Sequence, residues 1–144
     1  MRDTIFIATG TGIAPFRSML HWLFESELTV EDGRLRPSSL PRHENRGLWL
    51  LFGVRTPSDL YYDSEFKALA QEHSNFHYVP TLSRAVGPWQ GARGYVQEHV
   101  KEIVSARADM HAYICGLNRM VSTNRELLKS LGWDRKSIRY EKYD

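Results

Sequence analysis

The chain has a single cysteine, Cys115, among 144 residues. One thiol excludes an internal disulfide and any multi-cysteine metal site, and it fits a reducing cytoplasm. Apolar runs are short, and none nears the roughly 18 residues that a membrane-crossing helix needs. Excess charge is small too: a net +2 is too little to argue for nucleic acid. Arg2 and Asp3 lead straight into a strand-like run, which is not the layout of a signal peptide. The histidines are scattered, and His73 and His77 straddle a helix–strand junction, so no metal site is expected. There is no GxGxxG fingerprint, no Gly-Lys-Ser/Thr phosphate loop and no internal repeat.

What remains is an alternation. With 42% hydrophobic and 25% charged residues the chain reads as one soluble globular domain. Five short apolar runs read as strands: Thr4–Thr9, Gly47–Val54, Phe76–Leu82, Ala112–Gly116 and Ser137–Tyr143. Between them, helical stripes run through Ile13, Phe16, Leu20, Leu23 and Phe24, then Tyr62, Phe66, Leu69 and Ala70, then Val96, Val100, Ile103 and Val104, then Met120, Val121, Leu127, Leu128 and Leu131. This alternation predicts a doubly wound α/β fold, a five-stranded parallel sheet in the order 3-2-1-4-5 with helices on both faces. Ser58 or Asp63 is the expected N-cap of the second helix, and Gly132 closes the last. Pro80 marks its strand as an edge or as interrupted. The stretch Glu27–Arg46 is long for a connection and reads as a solvated insertion; a basic docking loop for an acidic partner is the sharper alternative.

In an open parallel sheet, ligands bind outside the carboxyl ends of the strands. Those ends read Gly10-Thr11-Gly12, Gly53-Val54-Arg55, Ser83-Arg84, Cys115-Gly116 and Glu141-Lys142-Tyr143. Gly10 and Gly12 allow close backbone approach, and the following helix offers free N–H groups, so a phosphate or pyrophosphate is the natural guest. Ser83, Arg84, Arg93 and Tyr95 suit a phosphate monoester with a stacked base. Surface arginines beside a core-facing tyrosine fit that cluster equally well. Cys115 reads as a small buried hydrophobe rather than a nucleophile.

In order along the chain, "IFIATGTGIAPFRSML", "LLFGVRTPSDLYYDSEF", "VPTLSRA", "WQGARGYVQ", "YICGLNRM" and "YEKYD" together resemble the NADP(H)-binding domain of the ferredoxin–NADP reductase family. The resemblance implies that Gly10, Thr11, Gly12 and Pro15 meet pyrophosphate and nicotinamide. It implies that Ser83, Arg84, Arg93 and Tyr95 hold the 2′-phosphate and adenine, favouring NADP(H) over NAD(H). Arg55 would reach ribose or pyrophosphate. Cys115 and Gly116 would lie beside the nicotinamide, and Glu141 and Tyr143 would be the terminal Glu-x-Tyr pair, with the tyrosine stacking on a flavin. Here Asp144 follows that tyrosine, and Tyr140 could compete for its role. In the family, FAD or FMN sits on an N-terminal β-barrel that these residues do not include. The resemblance therefore implies a piece of a longer reductase, or a chain completed by a separate flavin subunit, that passes electrons to a carrier such as ferredoxin. An NADH-linked reductase component of an oxygenase chain, or a nucleotide-binding module without redox turnover, are the alternatives.

Overall fold

The β-branched and aromatic run at the start forms β1 (Thr4–Thr9), with Ile5, Phe6, Ile7 and Ala8 fully buried. A 3-10 turn over Gly10–Gly12 leads into α1 (Ile13–Glu25). There follow β2 (Leu28–Glu31), β3 (Arg34–Pro37), β4 (Leu48–Val54), α2 (Asp63–Glu72), β5 (Phe76–Leu82), β6 (Ala92–Arg93), α3 (Val96–Val104), β7 (His111–Gly116), α4 (Asn118–Ser130) and β8 (Ile138–Lys142). This computed structural model describes residues 2–25, 28–31, 34–37, 46–105, 107 and 109–143.

The main sheet has six parallel strands in the order β6-β5-β4-β1-β7-β8. The expected five are present in their expected sequence, but the expected count is corrected by β6 at the edge. Ala92 and Arg93 are too few to carry a periodic signal. Their pairing comes from tertiary bonds instead: Thr81 Oγ1 donates to the Gly94 carbonyl at 2.9 Å, and Trp89 Nε1 donates to the Ala92 carbonyl at 2.8 Å. Pro80 lies in the part of β5 that β6 does not reach, so its missing N–H interrupts no outer ladder. Within Glu27–Arg46, β2 and β3 pair antiparallel as a separate two-stranded unit. The other residues of that insertion, apart from Arg46, lie outside the described residues, as does Asp144.

Strand alternation sends Phe6, Ala8, Leu50 and Phe52 to one face, under α1 and α2, and Ile5, Ile7, Leu51 and Ile114 to the other, under α3 and α4. Helix α1 is tied to α2 by Arg17, whose Nε and Nη2 donate to the Glu65 carboxylate at 2.7 and 2.8 Å. The Arg17 hydrogen bond holds the Glu65 carboxyl below its usual range. The same guanidinium lies 4.4 Å from the centre of the Tyr62 ring. Tyr62, in a left-handed conformation at φ 62°, is the N-cap of α2. Asp63 instead begins the helix and accepts a 2.7 Å hydrogen bond from the Tyr78 hydroxyl, while Ser58 lies in a separate 3-10 turn. At the end of α4, Gly132 and Trp133 donate to the Lys129 and Leu128 carbonyls at 3.0 and 3.1 Å, the paired bonds of a Schellman cap.

Candidate functional site

The carboxyl ends of β1 and β7 are pressed together. A β-carbon on Gly12 would collide with the Cys115 carbonyl, and one on Gly116 would collide with the Thr9 hydroxyl. The Gly10–Gly12 turn therefore nests on the end of β7, with the N-terminus of α1 and its unpaired N–H groups directly behind it. Pro15 occupies the first turn of α1, where its missing N–H costs no helical bond. Thr9 Oγ1 is buried here and has no hydrogen-bond partner among the described residues. In the sequence Thr9 is marked by nothing more than its place as the last strand residue before the glycine turn.

Strand β8 completes this corner. Its register sets Glu141 opposite Cys115 and Lys142 opposite Gly116, and the Tyr143 N–H extends the ladder to the Gly116 carbonyl at 2.9 Å. The Tyr143 hydroxyl stands within hydrogen-bonding reach of the Cys115 sulfur and of Glu141 Oε2, at 3.4 Å from the latter. Tyr140 pairs with Ile114 on the opposite face, where the Arg125 guanidinium lies 3.8 Å from its ring centre. Of the two tyrosines, Tyr143 is thus the one that meets Cys115. Burial pushes the Cys115 thiol up; its bond to Tyr143 opposes this, and the Glu141 charge reinforces it. A buried thiol held neutral in this way lines a surface and does not attack. The Tyr143 phenol is pushed up to about 12, first by its bond to Cys115 and then by burial.

Because the folded value for Tyr143 lies above the ordinary 10, the neutral phenol's stabilising contribution is complete below that value and is lost as pH rises through about 12. In a spectrophotometric titration of the native chain, Tyr143→Phe is expected to remove a phenol that ionises near 12. Loss of an ordinary phenol near 10 instead would show that the Cys115 contact does not form in solution.

At the other side of the sheet, Ser83 and Arg84 continue the pairing of β5 with β4. Their N–H groups donate to the Val54 and Arg55 carbonyls at 3.0 and 2.9 Å. Strand β6 sets Arg93 opposite Leu82, next to Ser83. Tyr95 caps α3, its N–H donating to Glu98 Oε2 at 2.7 Å. Its ring is 62% exposed, which removes the reading of a core-facing tyrosine. Arg55, Arg84 and Arg93 are exposed, and Arg93 Nη2 also donates to the Trp89 carbonyl at 2.6 Å. Two guanidinium groups, a hydroxyl and an exposed aromatic ring therefore share one end of the row of strand termini. The glycine turn and the Cys115–Glu141–Tyr143 corner share the other. An elongated ligand with a phosphate at one end and a planar ring at the other matches that spacing of chemistry. Among the described residues no group of three or more His, Cys, Asp or Glu side chains could hold a metal ion, and no helix is long and apolar enough to cross a membrane.

A family model described as "Oxidoreductase NAD-binding domain" matches residues 6–126. Ferredoxin–NADP reductase B of Sorangium cellulosum strain So ce56 is 41% identical over 98% of this chain and 54% of that protein. The chloroplastic root isozyme of ferredoxin–NADP reductase from Oryza sativa subsp. japonica is 35% identical over 91% of this chain and 33% of that protein. The crystal structure of an Amycolatopsis cytochrome P450 reductase superposes with a TM-score of 0.78, at 27% identity, over 97% of this chain and 37% of that one. The chain thus spans about half of the first of these relatives and about a third of the second.

Proposed function

The chain belongs to the oxidoreductase NAD-binding domain family, and from that premise we propose that it positions NADP(H) for hydride exchange with a flavin borne by a companion domain or subunit. The observation that carries this reading is the gathering of Ser83, Arg84, Arg93 and the exposed Tyr95 ring beside β6. A hydroxyl and two guanidinium groups recognise a phosphate monoester, and the ring supplies a stacking face. They would hold the 2′-phosphate and adenine. The Gly10–Gly12 turn and the N-terminus of α1 would take the pyrophosphate, with Thr11 and Pro15 beside it and Arg55 reaching it or the ribose.

The nicotinamide would then lie along Cys115 and Gly116, where the neutral thiol offers a surface without a competing charge. Tyr143 must leave the thiol for the ring to approach, and its 3.4 Å hydrogen bond to Glu141 is an exposed one that opens at small cost. A bound flavin, FAD or FMN, supplies the hydride acceptor. This chain's contribution is placement and the exclusion of water at the Cys115–Glu141 corner. The electrons would leave through a carrier such as ferredoxin, and the cytoplasm is the compartment we assign.

Calorimetric titration of the chain with NADPH and NADH tests the proposal. NADPH is expected to bind, and NADH roughly 10-fold or more weakly, since it lacks the phosphate that charged hydrogen bonds recognise. Equal affinity for the two would transfer the reading to an NADH-linked reductase component, and failure of both to bind would overturn it.

A further inference from the structure

Strand β6 and the start of α3 carry two of the candidate ligand groups, Arg93 and Tyr95, and both residues are exposed. Side chains hold the backbone that carries them. Trp89 Nε1 donates to the Ala92 carbonyl and Thr81 Oγ1 to the Gly94 carbonyl, while the Gly94 N–H donates to the Leu82 carbonyl at 2.9 Å. Two further bonds come from α3. His99 Nε2 lies 2.7 Å from the Arg93 carbonyl; a carbonyl only accepts, so this ring nitrogen carries the proton. Glu98 Oε2 accepts from the Tyr95 N–H at 2.7 Å, and the Glu98 N–H returns a 3.1 Å bond to the Tyr95 carbonyl. Gly94 leaves room for this exchange, since a β-carbon there would fall on the Glu98 carboxylate.

The bonds from His99 and Glu98 are exposed, so water could serve the Arg93 carbonyl and the Tyr95 N–H in their place. Exposed bonds of this kind add little to stability. What they do is fix a position: four side chains grip the backbone of the four residues from Ala92 to Tyr95. Fixed geometry matters most to a guanidinium fork and a flat ring, whose binding energy depends on alignment with phosphate and base. We infer that His99 and Glu98 are positioning residues for nucleotide selection, His99 acting through Arg93 and Glu98 through Tyr95. The inference rests on the function proposed above. On that reading the two residues act on different parts of the ligand. Arg93 meets the 2′-phosphate, which NADP(H) has and NAD(H) lacks. Tyr95 stacks on the adenine, which both nucleotides share. His99 therefore sets discrimination between the two, and Glu98 sets the affinity for either.

Calorimetric titration of variants with NADPH and NADH, beside thermal melts, tests this division. His99→Phe is expected to weaken NADPH binding roughly 3- to 10-fold and to leave NADH binding unchanged. In an Arg93→Ala background the same replacement is expected to change nothing, because the guanidinium that His99 aims is gone. His99→Gln keeps an N–H donor at similar reach and is expected to restore most of the NADPH affinity. Glu98→Ala is expected to weaken both nucleotides together, again roughly 3- to 10-fold, and to have no effect in a Tyr95→Ala background. Glu98→Gln is expected to restore both, since its amide oxygen accepts the same bond. A merely structural role for His99 would weaken both nucleotides equally and lower the melting temperature, and that pattern overturns its assignment. An effect of either residue that persists undiminished in its partner's alanine background overturns the assignment of that residue, as does wild-type NADPH affinity in His99→Phe or in Glu98→Ala. A wild-type chain that binds NADPH no better than NADH overturns the proposed function instead.

Discussion

Gly12→Ala is expected to weaken dinucleotide binding by about two orders of magnitude and to lower the melting temperature by roughly 5–10 °C. The new β-carbon would fall on the Cys115 carbonyl, with the Gly116 Cα 2.9 Å away. Both obstacles are backbone, held in place by the pairing of β7 with β1 on one side and β8 on the other. No side chain is there to swing aside, so the turn must lift off the sheet. Overpacking of this kind costs about 1–3 kcal/mol. The lifted turn would also carry its amide groups away from the proposed pyrophosphate position. Gly10→Ala is the control. Gly10 adopts φ 54°, but a β-carbon there meets nothing within 4 Å. Its cost is the left-handed backbone alone, about 1–2 kcal/mol, and binding is expected to suffer less. Equal binding losses in the two variants, measured by calorimetry beside thermal melts, would show that contact between the β1 turn and β7 does not set the ligand position.

Arg84→Ala is expected to lower NADPH affinity roughly 10- to 100-fold while leaving NADH affinity unchanged. Arg84 is exposed and, among the described residues, its backbone N–H alone is committed, to the Arg55 carbonyl, so the truncation removes charge without disturbing the sheet. Arg93→Ala is expected to act in the same direction and more weakly, because its guanidinium already serves the Trp89 carbonyl. Arg55→Ala provides the contrast: a group that reaches ribose or pyrophosphate touches what both nucleotides share, so both affinities fall together. If Arg84→Ala also weakens the two nucleotides equally, the 2′-phosphate assignment at Ser83–Arg84 is wrong.

The legible parts of this fold are those where local pattern and tertiary outcome coincide. The continuous apolar runs of β1 and β4 are buried on both faces, which is why periodicity located them and predicted parallel neighbours. Strand β6 has no local pattern to read, because its two residues are held by partners from β5 and the Trp89 loop. The cap of α2 escaped for a related reason. Tyr62 is a poor capping residue in isolation, and Arg17, forty-five residues earlier, lies against its ring. In the site, the strand ends named the neighbourhood but not the contacts. Tyr140 and Tyr143 could not be ranked until the register of β8 assigned Tyr140 to the α4 face and left Tyr143 beside Gly116. Thr9 carries no signal beyond its place before the glycine turn, since its surroundings are completed by Gly116, a hundred residues further along.

The arrangement at Cys115 also bears on durability. Peroxide oxidises thiolates far faster than thiols, and the first product, a sulfenic acid, leads on to forms that cells cannot reduce. On the proposed function, Cys115 stands where electrons are handed over, close to the source of such oxidants. Cys115 is 2% exposed, burial pushes its thiol up, and the Tyr143 phenol stands within hydrogen-bonding reach of it. Under the turnover proposed above, the lone thiol of this chain would therefore resist being worn away.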